Sequence, residues 1–521
     1  MSPHGRQKEL KGERGNLAEA AYVPAALGSH TGRIAPGRRR CTSQELGRGR
    51  FTSMRRFPPD FRWGTATSSH QVEGNNVRND WWLFEQQPGR IHNGDRSGLA
   101  CDWWRNAEAD FDRMGALHQN AHRLSIEWSR LEPEPDRWDD AAVGRYRQML
   151  GGLRSRGIEP MVTLHHFTLP QWVAAAGGWE APDVVAWFAR YARRCAEWLG
   201  EFTEHWVPIN EPNIVMLLGY LIGLFPPAVR DPLRAPRVTR HLLQAHAAAY
   251  HAVHEVQPNA QVGTAHNIRL FDPGPRAVPL VGRLDRWAAN ANSWIFNWLW
   301  LNVLSGREPQ PVMWIGRVGE CAGTLDFVGV NYYTRERVRF HPLRPRGGFL
   351  ESLRLPGEVV SDHEYGEVYS GGLRRVLLEA WQRYGRPLYV TENGLPDEDD
   401  DLRPSFFYDH LAAVADALDQ KVSVRGYYHW SLVDNFEWAE GWRMKFGLFA
   451  LDPATQRRVE RGSARLYAEI CRSGTLPEEA ALVDLTRRPA SHVRPGRPAK
   501  IAARAGRAGR SGEPRPRTPP L

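Results

Sequence analysis

The chain has 521 residues, 42% hydrophobic and 24% charged, a composition that excludes an intrinsically disordered protein and supplies a large core. No run approaches about 18 consecutive apolar residues, and the N-terminus lacks an apolar stretch ahead of a small-residue cleavage site, so neither a membrane span nor a secretory signal is expected. The net charge of +9 sits at the ends: residues 1–56 carry twelve Lys and Arg against four Asp and Glu, residues 476–521 carry ten against four, and the body between them is left at about −5.

Taken in chain order, residues 1–56 form a Gly-, Pro- and Arg-rich extension with little apolar periodicity, expected to be disordered. Met54 is an alternative start, because MRRFPPDFRWG leads directly into the first strand-like run. Residues 476–521 read the same way as a disordered basic tail. With the positive charge confined to these ends, no nucleic-acid partner is expected. Five cysteines (Cys41, Cys101, Cys195, Cys321, Cys471) are scattered, odd in number and without a CxxC pair, which suggests no disulfide framework and no zinc site and fits a reducing cytoplasm.

Between residues 57 and 475, short apolar and β-branched runs recur: 61–69 (FRWGTATSS), 121–128 (AHRLSIEW), 159–167 (EPMVTLHHF), 205–211 (HWVPINE), 261–267 (QVGTAHN), 325–333 (LDFVGVNYY), 387–394 (PLYVTENG) and 424–430 (VRGYYHW). Longer segments between them, such as 182–200, 239–256 and 405–418, repeat apolar residues every three or four positions, as helices do. Strand then helix, eight times, predicts a single (β/α)8 barrel with long βα loops over 57–475; a doubly wound open sheet is the competing α/β architecture. The barrel is favoured because nearly every run ends in a residue unsuited to a core. These are Gln71 just past the first, then Glu127, His166, Glu211, His266 with Asn267, Asn331 with Tyr333, Glu392 and Trp430. Barrel enzymes gather their chemistry at that end of the strands.

Two of the tips stand out: Asn210-Glu211-Pro212 closes the fourth run and Thr391-Glu392-Asn393-Gly394 the seventh. Strands four and seven lie nearly across a barrel mouth, and facing carboxylates are the equipment of glycoside hydrolysis. One, with a raised pKa, protonates the leaving group, and the other meets the oxocarbenium-like centre.

The chain resembles glycoside hydrolase family 1 on seven ordered motifs: FRWGTATSSHQVEG at 61–74, HRLSIEWSRLEP at 122–133, LPQWVAAAGGW at 169–179, INEP at 209–212, VNYYT at 330–334, YVTENG at 389–394 and WSLVDNFEWAEGW at 430–442. The resemblance implies that Glu211 is the acid/base and Glu392 the nucleophile of a retaining double displacement. It further implies that Arg123 and Tyr333 donate to Glu392, and that Asn210 holds the sugar 2-hydroxyl. Gln71, His166, Asn331, Trp430, Glu437 and Trp438 would form the sugar pocket. Twenty-one tryptophans are an ample supply of flat faces for pyranose rings, although most must belong to the core. No cofactor and no metal is expected: His165, His166 and His266 have no ligand partner at helical spacing, and His165 reads as a packed histidine.

The implied activity is an exo-β-glycosidase, β-glucosidase first, acting in the cytoplasm on a small β-glycoside or short oligosaccharide. The same glutamates would serve a transglycosylase or a 6-phospho-β-glycosidase; a carboxylate at Glu437 argues against a phosphosugar, whereas Arg443 and Lys445 argue for one. A non-catalytic sugar-binding barrel is the remaining reading. The sequence departs from the family pattern at Ile209, in place of Thr, and at Phe167-Thr168, in place of Trp-Asp, which removes an indole N–H from the pocket. The segments 219–227 (GYLIGLFPP) and 341–356 are expected to be loops shaping the aglycone side, with Leu221, Ile222, Leu224 and Phe225 either an apolar aglycone surface or a packed loop.

Overall fold

The computed structural model describes residues 55–276, 279–342 and 350–478. The eight apolar runs become eight parallel strands: β1 (Arg62–Ala66), β2 (Ala121–Ser125), β3 (Glu159–His165), β4 (His205–Ile209), β5 (Gln261–Val262 and His266–Asn267), β6 (Val328–Tyr332), β7 (Leu388–Asn393) and β8 (Val424–Trp430). They read as almost continuous apolar stretches because a parallel strand covered by helices is buried on both faces. β1 pairs with β8, Arg62 opposite Gly426 and Ala66 opposite Trp430, so the sheet is a closed barrel and not the open alternative. The helices that follow the strands are α1 (Trp103–Ala116), α2 (Asp140–Arg154), α3 (Val184–Leu199), α4 (Ala235–Val256), α5 (Leu299–Leu304), α6 (Ser370–Tyr384), α7 (Arg403–Asp419) and α8 (Gly462–Ser473).

Helix α3 shows why these segments wind as they do. Val184, Phe188, Tyr191, Ala192, Cys195, Ala196 and Leu199 recur at three- and four-residue spacing and are all buried. The barrel interior is filled separately, by Ala66, Ala121, Met161, Val207, Ala265, Phe327, Tyr389, Tyr428 and Trp430. Toward the N-terminal ends of the strands, Arg62 pairs with Glu159 at 2.5 Å and reaches His205, an ion pair at the floor of the barrel opposite the site.

The fifth run departs from expectation. Its strand is broken: Gln261–Val262 pairs with β4, His266–Asn267 with β6, and the residues between are held by isolated bridges, Gly263 to Phe327 and Asn210 to Ala265. Strands β5 and β6 approach so closely here that a Cβ at Gly329 would lie 1.9 Å from the Thr264 carbonyl oxygen and one at Gly263 2.4 Å from that of Phe327. Only glycine fits either place.

The ends of the body are also more ordered than expected. Arg55 and Arg56, assigned to the disordered extension, are clasped to the opposite end. Arg56 bridges Thr475, Phe57 N donates to Gly474 O at 2.9 Å, Leu476 N donates to Arg55 O at 3.0 Å, and Arg55 pairs with Asp416 at 2.6 Å. The rest of the two expected tails, residues 1–54 with the alternative start at Met54 and residues 479–521, lies outside the described residues. Segment 341–356 is not a plain loop. Leu350–Leu353 pairs antiparallel with Arg335–Phe340, which pairs in turn with Leu270–Pro273, forming a small sheet at the barrel mouth; residues 343–349 lie outside the described residues. Among the described residues no helix is long and apolar enough to cross a membrane.

Candidate active site

The tips of β2, β4, β6, β7 and β8 converge at the C-terminal mouth, and the backbone there is irregular. Opposite β6 the register of β7 slips between Val390 and Glu392, which sets Glu392 beside Asn331; opposite β8 it slips between Val390 and Asn393. Such a bulge re-aims a side chain, and here it turns the Glu392 carboxylate inward. At the tip of β4, Glu211 adopts φ 44°, ψ 58°, and a short helix begins directly at Pro212, the residue type favoured at a first helical position. Phe167 and Trp438 also have positive φ, at 69° and 50°. Non-glycine residues in this region of backbone space cost free energy and cluster where a site needs them.

Glu392 and Glu211 are both buried but differently partnered. Arg123 Nη1 donates to Glu392 Oε1 at 2.5 Å, and Tyr333 donates its hydroxyl proton to Oε2 at 2.5 Å. Glu211 Oε1 receives only amide protons, from Asn331 Nδ2 at 2.8 Å and Asn267 Nδ2 at 3.0 Å. Burial and the neighbouring Glu392 charge push the Glu211 carboxyl up to about 8. Burial also raises Glu392, against which Arg123 and the Tyr333 hydroxyl act. The cation and the phenol therefore make Glu392 the carboxylate that ionises first, with Glu211 keeping its proton.

Arg123 organises more than one partner. Its Nε donates to Thr163 Oγ1 at 3.0 Å and its Nη2 to Asn210 Oδ1 at 2.6 Å. That contact fixes the Asn210 amide, whose Nδ2 then donates to His166 Nε2 at 3.1 Å. With Nε2 accepting, the His166 proton sits on Nδ1, which is buried and has no partner among the described residues. Burial, with Arg123 and His165 nearby, keeps the imidazole neutral, its pKa well below the usual value. His166 thus keeps one N–H that no described residue accepts. His165 is packed edge-on against Trp179 as expected.

The pocket wall is aromatic. The His166 ring lies parallel to Trp430 at 5.8 Å and to Trp438 at 6.0 Å; Phe167 meets Trp438 at 5.2 Å and Phe225 at 5.4 Å, and Trp81 closes the cluster 4.7 Å from Trp438. The Trp81 indole N–H is spent on the Phe167 carbonyl at 3.1 Å. Phe167 itself contributes an apolar face to this wall. Thr168 turns away to Glu127 at 3.1 Å, and Ile209 is buried beside His165. Of the segment read as an aglycone surface, Phe225 is buried in this aromatic cluster, and Leu221, Ile222 and Leu224 are half-buried.

Gln71 and Glu437 come together, but not as a free amide and a free charge. Gln71 Nε2 donates to Asn435 Oδ1 at 2.9 Å, the Phe436 carbonyl at 2.9 Å and Glu437 Oε2 at 3.0 Å. Burial and the Glu392 charge push Glu437 up to about 8. A carboxyl raised this far carries less charge at neutral pH than its residue type implies, which weakens charge repulsion as an argument against a phosphosugar. Arg443 is committed to Glu440, which removes one of the two cations that favoured one. Residues outside the expected site that take part in its hydrogen bonding are Asn267, Thr163 and Asn435. Asn267 is legible as a polar tip of the fifth run, whereas Thr163 and Asn435 carry no such mark. The loop holding Asn435 and Glu437 is anchored by a buried bidentate pair, Arg461 with Asp434 at 2.9 Å.

The sequence profile of glycosyl hydrolase family 1 matches residues 53–475. Beta-glucosidase A of Thermotoga maritima is 30% identical over 449 residues, covering 82% of this chain and 100% of the relative. A beta-galactosidase of Sulfolobus acidocaldarius is 31% identical over 82% of this chain and 97% of its own. Among solved structures, a beta-glycosidase from Pyrococcus horikoshii superposes with a TM-score of 0.76 at 38% identity, covering 85% of this chain and 100% of that one. The beta-glucosidase from Thermotoga maritima in complex with glucoimidazole superposes with a TM-score of 0.76 at 29% identity, over 81% of this chain and 100% of that one.

Proposed function

Because the chain belongs to glycosyl hydrolase family 1, we propose that it is a retaining exo-β-glycosidase, most specifically a β-glucosidase, releasing terminal non-reducing β-D-glycosyl residues by double displacement. The observation that carries this reading is the asymmetry of the two buried carboxylates. Glu392, held by Arg123 and Tyr333, is the anion and attacks the anomeric carbon; Glu211, among amides, holds the proton and gives it to the departing oxygen. The products of that step are a glycosyl ester on Glu392 and a free alcohol. Esterification removes the negative charge that helps to raise Glu211, so the Glu211 pKa falls and its carboxylate takes a proton from water in the second step. Asn210, aligned by Arg123, faces the sugar 2-hydroxyl, where a hydrogen bond strengthens as positive charge develops.

The ligands are small neutral β-glycosides or short oligosaccharides. A glucoside is favoured by the beta-glucosidase relatives and a galactoside is the nearest alternative, since one of the relatives is a beta-galactosidase. The catalytic domain spans residues 57–475, and the free thiols of Cys101, Cys195, Cys321 and Cys471 suit a cytoplasmic protein. Initial rates on nitrophenyl β-glucoside, β-galactoside, β-fucoside, β-mannoside, β-glucoside 6-phosphate and α-glucoside test the assignment. Turnover is expected on the neutral β-members with the glucoside foremost. Turnover confined to the phosphosugar or to the α-glucoside would refute it.

A further inference from the structure

An acid that protonates a leaving group needs a fixed face as well as a proton. Both amides that reach Glu211 end on the same oxygen: Asn331 Nδ2 at 2.8 Å and Asn267 Nδ2 at 3.0 Å donate to Oε1. Two donors fill the lone pairs of that oxygen, so the proton of the acid is carried by Oε2. The two amides are held unequally. Asn331 is locked through its side chain, its Oδ1 accepting the Thr391 hydroxyl proton at 2.7 Å, and its strand is paired on both sides. Asn267 has no comparable side-chain anchor among the described residues, and its strand is the broken one.

The backbone of Asn267 is anchored instead by Asn213. On the β4 side the ladder to the fifth strand ends at Ala265, whose carbonyl takes the Glu211 amide proton at 2.8 Å, because the chain then turns at Pro212 into the short helix. Proline has no N–H with which to continue it. The next carbonyl on this edge, Asn267 O, is reached by a side chain: Asn213 Nδ2 donates to it at 2.9 Å and, with its other proton, to Phe296 O at 3.1 Å. Phe296 lies in the wide helical turn Trp294–Trp298, and its carbonyl also takes His266 Nε2 at 3.1 Å. Turns of this width depart from the regular helical ladder and often accompany functional sites. Asn213 is completely buried with both N–H groups used, while its Oδ1 has no partner among the described residues. A buried amide with its oxygen unpaired is costly, and the two donor bonds are what offset that cost.

We propose that Asn213 is a positioning residue of the acid/base: by tying the Asn267 backbone to the helix that starts just after Glu211, it aims the Asn267 amide at Oε1 and so keeps the acidic proton on Oε2. This rests on the reading of Glu211 as the acid/base. The groups that act electrostatically on Glu211 are Glu392 from β7, Arg123 from β2 and Tyr333 beyond β6, and Asn213 bonds to none of them. Burial keeps His166, past β3, and His266, on β5, neutral. Amide bonds to Oε1 favour the carboxylate, so loss of one moves the Glu211 carboxyl further up.

The test is the pH profile of kcat/KM for the full-length chain in a double-mutant cycle of Asn213→Ala and Asn267→Ala. Each single variant is expected to move the alkaline limb up by about 0.5 pH unit and to lower kcat/KM on an alkyl β-glycoside about tenfold, with a dinitrophenyl β-glycoside changed by less than about threefold. Because Asn213 acts through Asn267, the double variant is expected to match Asn267→Ala, whereas independent roles would add. Asn213→Ser keeps one donor and is expected to fall between the wild type and Asn213→Ala; it takes the place of the alanine variant in the cycle if that variant fails to fold. An alkaline limb and a leaving-group dependence left unchanged by the Asn213 substitution overturn the proposal, as do losses that add in the double variant. An alkaline limb that persists in Glu211→Ala on the dinitrophenyl glycoside would instead refute the acid/base reading itself, and the role of Asn213 with it.

Discussion

Replacing Glu392 by Ala is expected to lower kcat by about 10⁴-fold or more on every substrate the wild type cleaves, because it removes the atom that forms the intermediate. Arg123 and Tyr333 would remain, their protons aimed at an empty space the size of the lost carboxymethyl group. A small external anion can occupy that space. Azide is therefore expected to restore turnover of activated aryl glycosides and to leave an α-glycosyl azide, one displacement having replaced two. A variant that retains full activity without azide would end the assignment of Glu392 as nucleophile. Intact near-ultraviolet circular dichroism guards against loss of fold as the cause.

Glu211→Ala is expected to divide substrates by their leaving groups. Alkyl glycosides and oligosaccharides, which need protonation to depart, should lose about 10²–10⁴-fold in kcat/KM, whereas dinitrophenyl glycosides, which depart as stable anions, should show little loss in that first step. The pH profile gives a second readout. Glu211 must be protonated in the free enzyme and titrates at about 8, so wild-type kcat/KM falls as pH rises through that value, and the fall is absent in the variant on activated substrates. The acid limb belongs to protonation of Glu392 and persists. Equal losses on good and poor leaving groups would count against the role given to Glu211.

How far the sequence foretold this molecule depends on which property left a mark on composition. Eight apolar runs correspond to eight strands because each strand is covered on both faces, and burial on both faces is written directly into residue type. Glu211 and Glu392 were legible as a pair, two carboxylates at facing tips and each beside an asparagine; a single tip carboxylate is no such mark, as Glu127 shows, held by Ser69, Ser129 and Thr168. Hydrogen-bond register leaves no such mark. The break of β5 at Gly263–Ala265 and the slip that turns Glu392 toward the centre emerge only from neighbouring strands, although Gly263 and Gly329 were visible as glycines inside runs.

Charge state was the other blind spot. Residue type alone makes Glu437 an anion, but complete burial beside the Glu392 charge pushes its carboxyl up to about 8. Gln71, expected from its place as a sugar-binding amide, also donates to Asn435 and Glu437, so its orientation is coupled to the loop after β8. The clasp between Arg56 and Thr475 joins residues from the two ends of the body, and nothing in either local sequence announces it.

The most direct test of the double-displacement account is the anomeric form of the sugar first released, followed by proton NMR immediately after the enzyme is mixed with whichever nitrophenyl β-glycoside it cleaves fastest. Two inversions, one at Glu392 and one by water activated at Glu211, predict that the β-anomer appears first and mutarotates to the α-anomer afterwards. Initial release of the α-anomer would mean a single displacement by water and would contradict a covalent role for Glu392.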